Sequence, residues 1–244
     1  MTSDPKTDPG ANRRKKTRFA VSPDFRMKVM LALSGEGGTW KDWSGTLVDL
    51  SATGAHVVVS LAAVAFPENP CKVKLSFGTF KLDIPGTVAH YVCDARYSTC
   101  GVQFDFSNAS VEKMYGRVLE PVIASATLAP AGSKADESGR YREEYRGHGQ
   151  ARLVVWREKE GAPISGFEYQ LGRYVAELAK TSGEPAALKA ALKFKPGAST
   201  GTSSPLDFLS HNQEQDARWQ FSLAASNLPK ILPAEERKFF LSLA

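Results

Sequence analysis

Two short clusters in this 244-residue chain carry side chains whose types and spacing suit capture of an anion. Arg13-Arg14-Lys15-Lys16-Thr17-Arg18 sets five cationic side chains in six positions. A guanidinium grips phosphate oxygens through parallel N–H donors, and its plane stacks on bases. Alone, such a run also suits a solvated tail or a nonspecific contact with nucleic acid. Further on, Asp49-Leu50-Ser51-Ala52-Thr53-Gly54 brings together an acceptor carboxylate, a hydroxyl and a glycine. Alone, it reads as a turn, in which Asp and Ser bond nearby amides and Gly54 takes a positive φ.

Other chemistry-bearing residues are scattered. His56, His90, His148 and His211 show no ligand-like spacing to Cys, Asp or Glu, so no metal or cofactor is expected. His56 follows Gly54-Ala55 closely enough to line a pocket, although a strand position at a barrel rim explains it as well. Gly35-Glu36-Gly37-Gly38 lacks the Lys and Ser/Thr of a P-loop and reads as a hairpin turn. No G-x-S-x-G occurs, and no nucleophile and base pair up, so the chain is not expected to be an enzyme. Cys71, Cys93 and Cys100 form no C-x-x-C pair and read as small buried strand residues. With a polar N-terminus and no apolar run near the ~18 residues of a spanning helix, a cytoplasmic protein without a membrane span is expected.

The elements that must position the two clusters are mostly β. Strands are expected over 25–33, 43–51, 55–61, 71–77, 81–93 and 101–106. Cys71, Val73, Leu75 and Phe77 alternate with Lys72, Lys74 and Ser76, the period of a half-buried strand. Pro85-Gly86 suggests a bulge or bend. Trp40 and Trp43 are expected to anchor a small closed barrel. Val111, Met114, Val118, Val122 and Ile123 then recur at helical spacing, with Asn108 or Ser110 as the N-cap. The fold class expected for the first half is a six-stranded antiparallel barrel plus a C-terminal helix.

Domain boundaries follow from composition. Residues 1–12 read as a disordered tail, 13–128 as the barrel domain, 129–150 as a polar linker and 151–244 as a smaller α+β or helix-rich domain of unknown role. In that last part 152–158 reads as a strand. ISGFEYQL (164–171) reads as the second strand of a hairpin, although Phe167, Leu171, Tyr174, Val175 and Leu178 also fit one helical face. Helices are expected over 185–194, 215–228 and 233–244, with a flexible loop at 197–204. Trp156 and Trp219 are expected in this domain's core.

Taken together, the two clusters resemble the signature of the PilZ family of cyclic di-GMP receptors: R-x-x-x-R ahead of the barrel, then [D/N]-x-S-x-x-G at a strand-to-strand turn. Arg14 and Arg18 match the first part; Asp49, Ser51 and Gly54 match the second. Gly86-Thr87-Val88 and Gly101-Val102-Gln103-Phe104 match the family's late strands. The resemblance covers residues 13–125. It implies a ligand carrying two guanines and two phosphates, held between a basic arm and a barrel face. Asp49 would accept from guanine N1–H and the exocyclic amine, Ser51 would add a polar contact, and the arginines would take phosphates or the O6/N7 edge. Arg13, directly ahead of R-x-x-x-R, implies two ligands per protomer.

The function so implied is a receptor and adaptor that changes conformation on binding and passes the signal to an unidentified protein partner. Two other readings stand beside it. One is a nucleic-acid-binding module using the basic arm, the less expected of the two partners; the other is a PilZ scaffold that makes only protein contacts. Discrimination among guanine dinucleotides separates the first from the receptor.

Overall fold

The computed structural model describes residues 17–135, 139–179, 185–197 and 209–244. The expected tail, Arg13, Arg14 and nearly all of the 197–204 loop lie outside the described residues.

Seven strands build the first half: β1 (Arg18–Ala20), β2 (Lys28–Ser34), β3 (Trp40–Ser51), β4 (Gly54–Val59), β5 (Pro70–Phe77), β6 (Phe80–Cys93) and β7 (Ser98–Phe104). All neighbours pair antiparallel, and the order β3-β2-β5-β6-β7-β4 closes because β3 also pairs with β4. This is the expected six-stranded barrel. Alternation drives it: Val57, Val73 and Ile84 point inward and are buried, while their strand neighbours are partly or fully exposed, and Leu31 and Leu50 are buried with them. β1 lies outside the ring, on the stretch of β3 beyond its pairing with β2. The bulges fall between Leu47 and Asp49 and between Val88 and His90, not at Pro85-Gly86, which stays in register with β5.

Cys71 and Cys100 are core hydrophobes, and burial pushes their thiols up to about 12 and about 11. Cys93 departs from that expectation and is exposed at the end of β6. Trp43 packs on the barrel core, whereas Trp40 is exposed, with the Lys72 ammonium 4.7 Å from its ring centroid. The hairpin tip at 36–38 that precedes β3 is a short 3-10 turn in which Gly37 takes a positive φ.

Helix α1 (Ala109–Ala126) starts where Asn108 accepts from the Ser110 amide at 2.9 Å. It is shared property: Val118 and Val122 enter the barrel core, and Ala124 enters the second. Beyond it run β8 (Ala129–Ala135), β9 (Tyr141–Arg146), β10 (Arg152–Arg157), β11 (Ile164–Leu171), β12 (Tyr174–Leu178), α2 (Pro185–Ala191), β13 (Lys193–Pro196), α3 (His211–Ala225) and α4 (Ala234–Leu243). The strands form one antiparallel sheet in the order β13-β12-β11-β10-β9-β8. The second half is therefore α+β.

Two readings change here, and one open choice is settled. The expected linker is two strands, β8 and β9: Tyr145 buries, and Glu143 and Glu144 find arginine partners, Arg157 and Arg152, on the neighbouring β10. Polar composition suggested a linker because an antiparallel sheet can keep one face wet. At 164–178 the two-residue period wins, since Phe167, Tyr169 and Leu171 enter the core together with Ala176 and Leu178. Trp219 packs on the barrel, its ring 4.9 Å from Phe80 and 5.6 Å from the Arg117 guanidinium, while Trp156 lies outside the second core.

The halves are joined through the segment between β1 and β2. Asn227 accepts from the Ser22 amide at 2.7 Å and donates to the Ser125 hydroxyl at 3.1 Å. Arg26 donates to the carbonyls of Leu241 and Ala244 at 2.8 and 2.7 Å. Arg117 of α1 pairs with Asp216 of α3, which also receives Tyr174 and Arg173. Among the described residues, no helix is long and apolar enough to cross a membrane.

Candidate functional site

The two sequence clusters meet because β1 is an added strand on β3. Its register places Arg18 opposite Ser51 and Ala20 opposite Asp49. From there the Arg18 guanidinium reaches the Asp49 carboxylate, Nη1 donating to Oδ1 at 2.8 Å. Both side chains keep some contact with solvent, 30% and 19% of their surface, so a ligand can reach them. The second carboxylate oxygen faces His56 Nδ1 at 3.6 Å, too long for a hydrogen bond. Asp49 therefore has acceptor capacity left over.

The turn behind Asp49 is built rigidly. Ser51 is only 5% exposed, and its hydroxyl accepts from the Thr53 amide at 3.4 Å and donates to the Gly54 carbonyl at 3.3 Å. Its hydroxyl is thus spent inside the turn. Gly54 does not take the positive φ that a turn glycine suggests. It is needed for a close approach instead: a Cβ there would lie 2.4 Å from the Val102 carbonyl oxygen on β7. The role of Gly54 is to let β4 lie against β7, directly behind the site.

One residue here was not singled out from sequence. Tyr115 of α1 sends its hydroxyl to the Ser51 carbonyl at 2.7 Å, fully buried. Burial pushes its phenol far above the ordinary tyrosine value, and the nearby Asp49 charge adds to this. Its ring packs with Phe104 and Phe106 in a three-ring cluster, with centroids 5.0 and 5.5 Å away. In sequence it is one apolar position among several on an amphipathic helix, with no signal marking its hydroxyl. Arg13 and Arg14 cannot be placed against the site, lying outside the described residues. Among the described residues, no cluster of three or more His, Cys, Asp or Glu could hold a metal ion.

The sequence of residues 12–119 matches the family model of the PilZ domain. This segment is a PilZ domain. The motif residues Arg18, Asp49, Ser51 and Gly54 all fall within it, on the turn and the added strand just described. No curated protein sequence matches the chain. Among solved structures the chain is similar to MrkH of K. pneumonia in complex with c-di-GMP, at 14% identity and TM-score 0.37, over 44% of this chain and 51% of that one. It is also similar to the PilZ domain of YcgR from Escherichia coli with c-di-GMP, at 15% identity and TM-score 0.33, over 44% and 88%. A second MrkH structure, titled as a c-di-GMP-dependent transcription regulatory factor, aligns at 15% identity and TM-score 0.32, over 44% and 49%. The aligned part thus spans about half the length of the MrkH chains.

Proposed function

We propose that the chain is a receptor for cyclic di-GMP, bound on the outer face of the PilZ barrel between the basic arm and Asp49. The observation that carries this reading is the β1–β3 register, which sets the Arg18 guanidinium on the Asp49 carboxylate at the barrel surface. Each group is the complement of one part of a guanine dinucleotide. Asp49 offers acceptors for the N1–H and exocyclic amine, a donor edge that guanine shows and adenine does not. Arg18, with Arg14 and Arg13 of the arm, offers forked donors for phosphates or the O6/N7 edge. Ligand capture replaces the Arg18–Asp49 pair with two sets of charge-assisted hydrogen bonds. The role is binding rather than catalysis, in the cytoplasm.

The route to an output follows from connectivity. Residues 18–26 run from the site to Asn227 and the end of α4. A shift of β1 on binding therefore pulls on the seat of the C-terminal half, which hands the signal to a protein partner. Two ligands per protomer are proposed on the strength of Arg13. Arg18→Ala and Asp49→Ala should each lose cyclic di-GMP binding in equilibrium dialysis while keeping the wild-type melting temperature. Wild-type affinity in both variants contradicts the site. Displacement of the dinucleotide by DNA at fixed salt would instead favour a nucleic-acid module.

A further inference from the structure

Asp49 is one end of a row that crosses four adjacent strands on the outer face of the barrel. Asp49 of β3 is opposite His56 of β4, His56 is opposite Gly101 of β7, and Gly101 is opposite His90 of β6. Both ends of the row follow a bulge, between Leu47 and Asp49 and between Val88 and His90. A bulge re-aims the side chains that come after it. Here the two shifts are what align Asp49 and His90 with the central pair.

Gly101 leaves the middle of the row without a side chain, and the His90 ring lies down over it. A Cβ at residue 101 would sit 1.9 Å from His90 Cε1. The two imidazoles close over this gap with centroids 5.6 Å apart and planes tilted by 58°. His56 Nε2 is buried and has no hydrogen-bond partner among the described residues.

We propose that His56 and His90 form a tilted aromatic floor, in which one imidazole stacks under a guanine of the ligand and the other meets its rim, while the hydrogen-bonding edge of the base meets Asp49. This rests on the reading of the site as a cyclic di-GMP receptor. Strands are spaced about 4.8 Å apart, so a purine anchored at β3 extends its rings across β4 toward β7. That path runs over His56 and the gap at Gly101. Flat imidazoles suit it, because base stacking needs a π-face and no particular hydrogen-bond pattern. Asp49 then reads the base and the histidines hold it.

The test is a titration of the full chain with cyclic di-GMP, read by calorimetry and by the histidine ring resonances in proton–carbon correlation spectra. The chain has four histidines, so His148 and His211 serve as internal controls. Ring-current shifts confined to His56 and His90 are expected at saturation. His56→Ala should weaken binding about tenfold and His90→Ala about threefold, while His56→Phe stays within about threefold of wild type. A merely structural role for His56 would not be rescued by phenylalanine. If the wild type binds and Asp49→Ala does not, yet His56→Ala binds normally and neither ring shifts, the floor is refuted and the receptor stands. If the wild type does not bind, both readings fall.

Discussion

Both halves of the molecule display charged side chains on the outer face of a β-sheet, but they use them differently. On the second sheet, Glu144 receives Arg142, Arg146 and Arg152 at 2.6, 2.8 and 3.0 Å and is only 13% exposed. The pattern continues across neighbouring strands, with Glu168 between Arg152 and Lys195, and Lys195 also held by Glu177. Every carboxylate there has its cations. On the barrel, Asp49 has one guanidinium, and the neighbouring His56 has one ring nitrogen too far away to bond and the other without a hydrogen-bond partner among the described residues. A saturated face keeps its own strands in register. An unsaturated one has capacity left for something else. The contrast is a more useful guide to the binding surface than the net charge of +5, which belongs to the whole chain.

Opposite phenotypes are expected from removing one carboxylate on each face. Asp49→Ala should lower cyclic di-GMP affinity by at least about 100-fold, the worth of two charge-assisted hydrogen bonds, with little change in thermal stability. Calorimetry and thermal melting on one preparation check both. Glu144→Ala should do the reverse. It leaves three guanidiniums without their shared acceptor and should cost about 2 kcal/mol in urea unfolding, with ligand affinity unaltered. Similar effects of the two variants on both measurements would erase the distinction between the faces.

Acid sharpens the same contrast. Hydrogen bonds from Arg152, and then Arg146, hold the Glu144 carboxyl down at about 2 against its own burial, compared with an ordinary 4.5. A native value below the unfolded one means the stabilisation is complete above the ordinary value and is lost as pH falls toward about 2. Melting temperatures taken through that window should fall more steeply for the wild type than for Glu144→Gln. Parallel curves would show that the cluster contributes nothing to stability. The smallest effect is expected at the helix behind the site. Tyr115→Phe leaves the Ser51 carbonyl buried without its donor and should cost about 1 kcal/mol, with a few-fold loss of affinity as the turn loosens. A loss of stability with unchanged affinity would make Tyr115 a fold residue only.

How much of this was legible in the sequence depends on where the determining contacts lie. The barrel was readable because each of its strands buries one face, so the period of two survives in Cys71, Val73, Leu75 and Phe77. The site residues were readable as two motifs, but their roles were less so. That Ser51 is consumed by its own turn follows from local bonds to Thr53 and Gly54, whereas the packing role of Gly54 depends on β7, almost fifty residues away in sequence. The strands at 129–146 were hidden because their stabilising partners are charges on neighbouring strands, which composition counts as solvated. Tyr115 and the alignment of His56 with Gly101 and His90 were hidden for a related reason, although His56 alone was close enough to the motif to line a pocket. Only strand closure and two bulges bring those residues together.

The most direct test of the central claim is calorimetric titration of the full chain with cyclic di-GMP, repeated with Asp49→Ala. Saturable, enthalpically visible binding that the variant loses is expected, with a stoichiometry near two per protomer. A wild-type chain that releases no heat, or a variant that binds as well as the wild type, would contradict it.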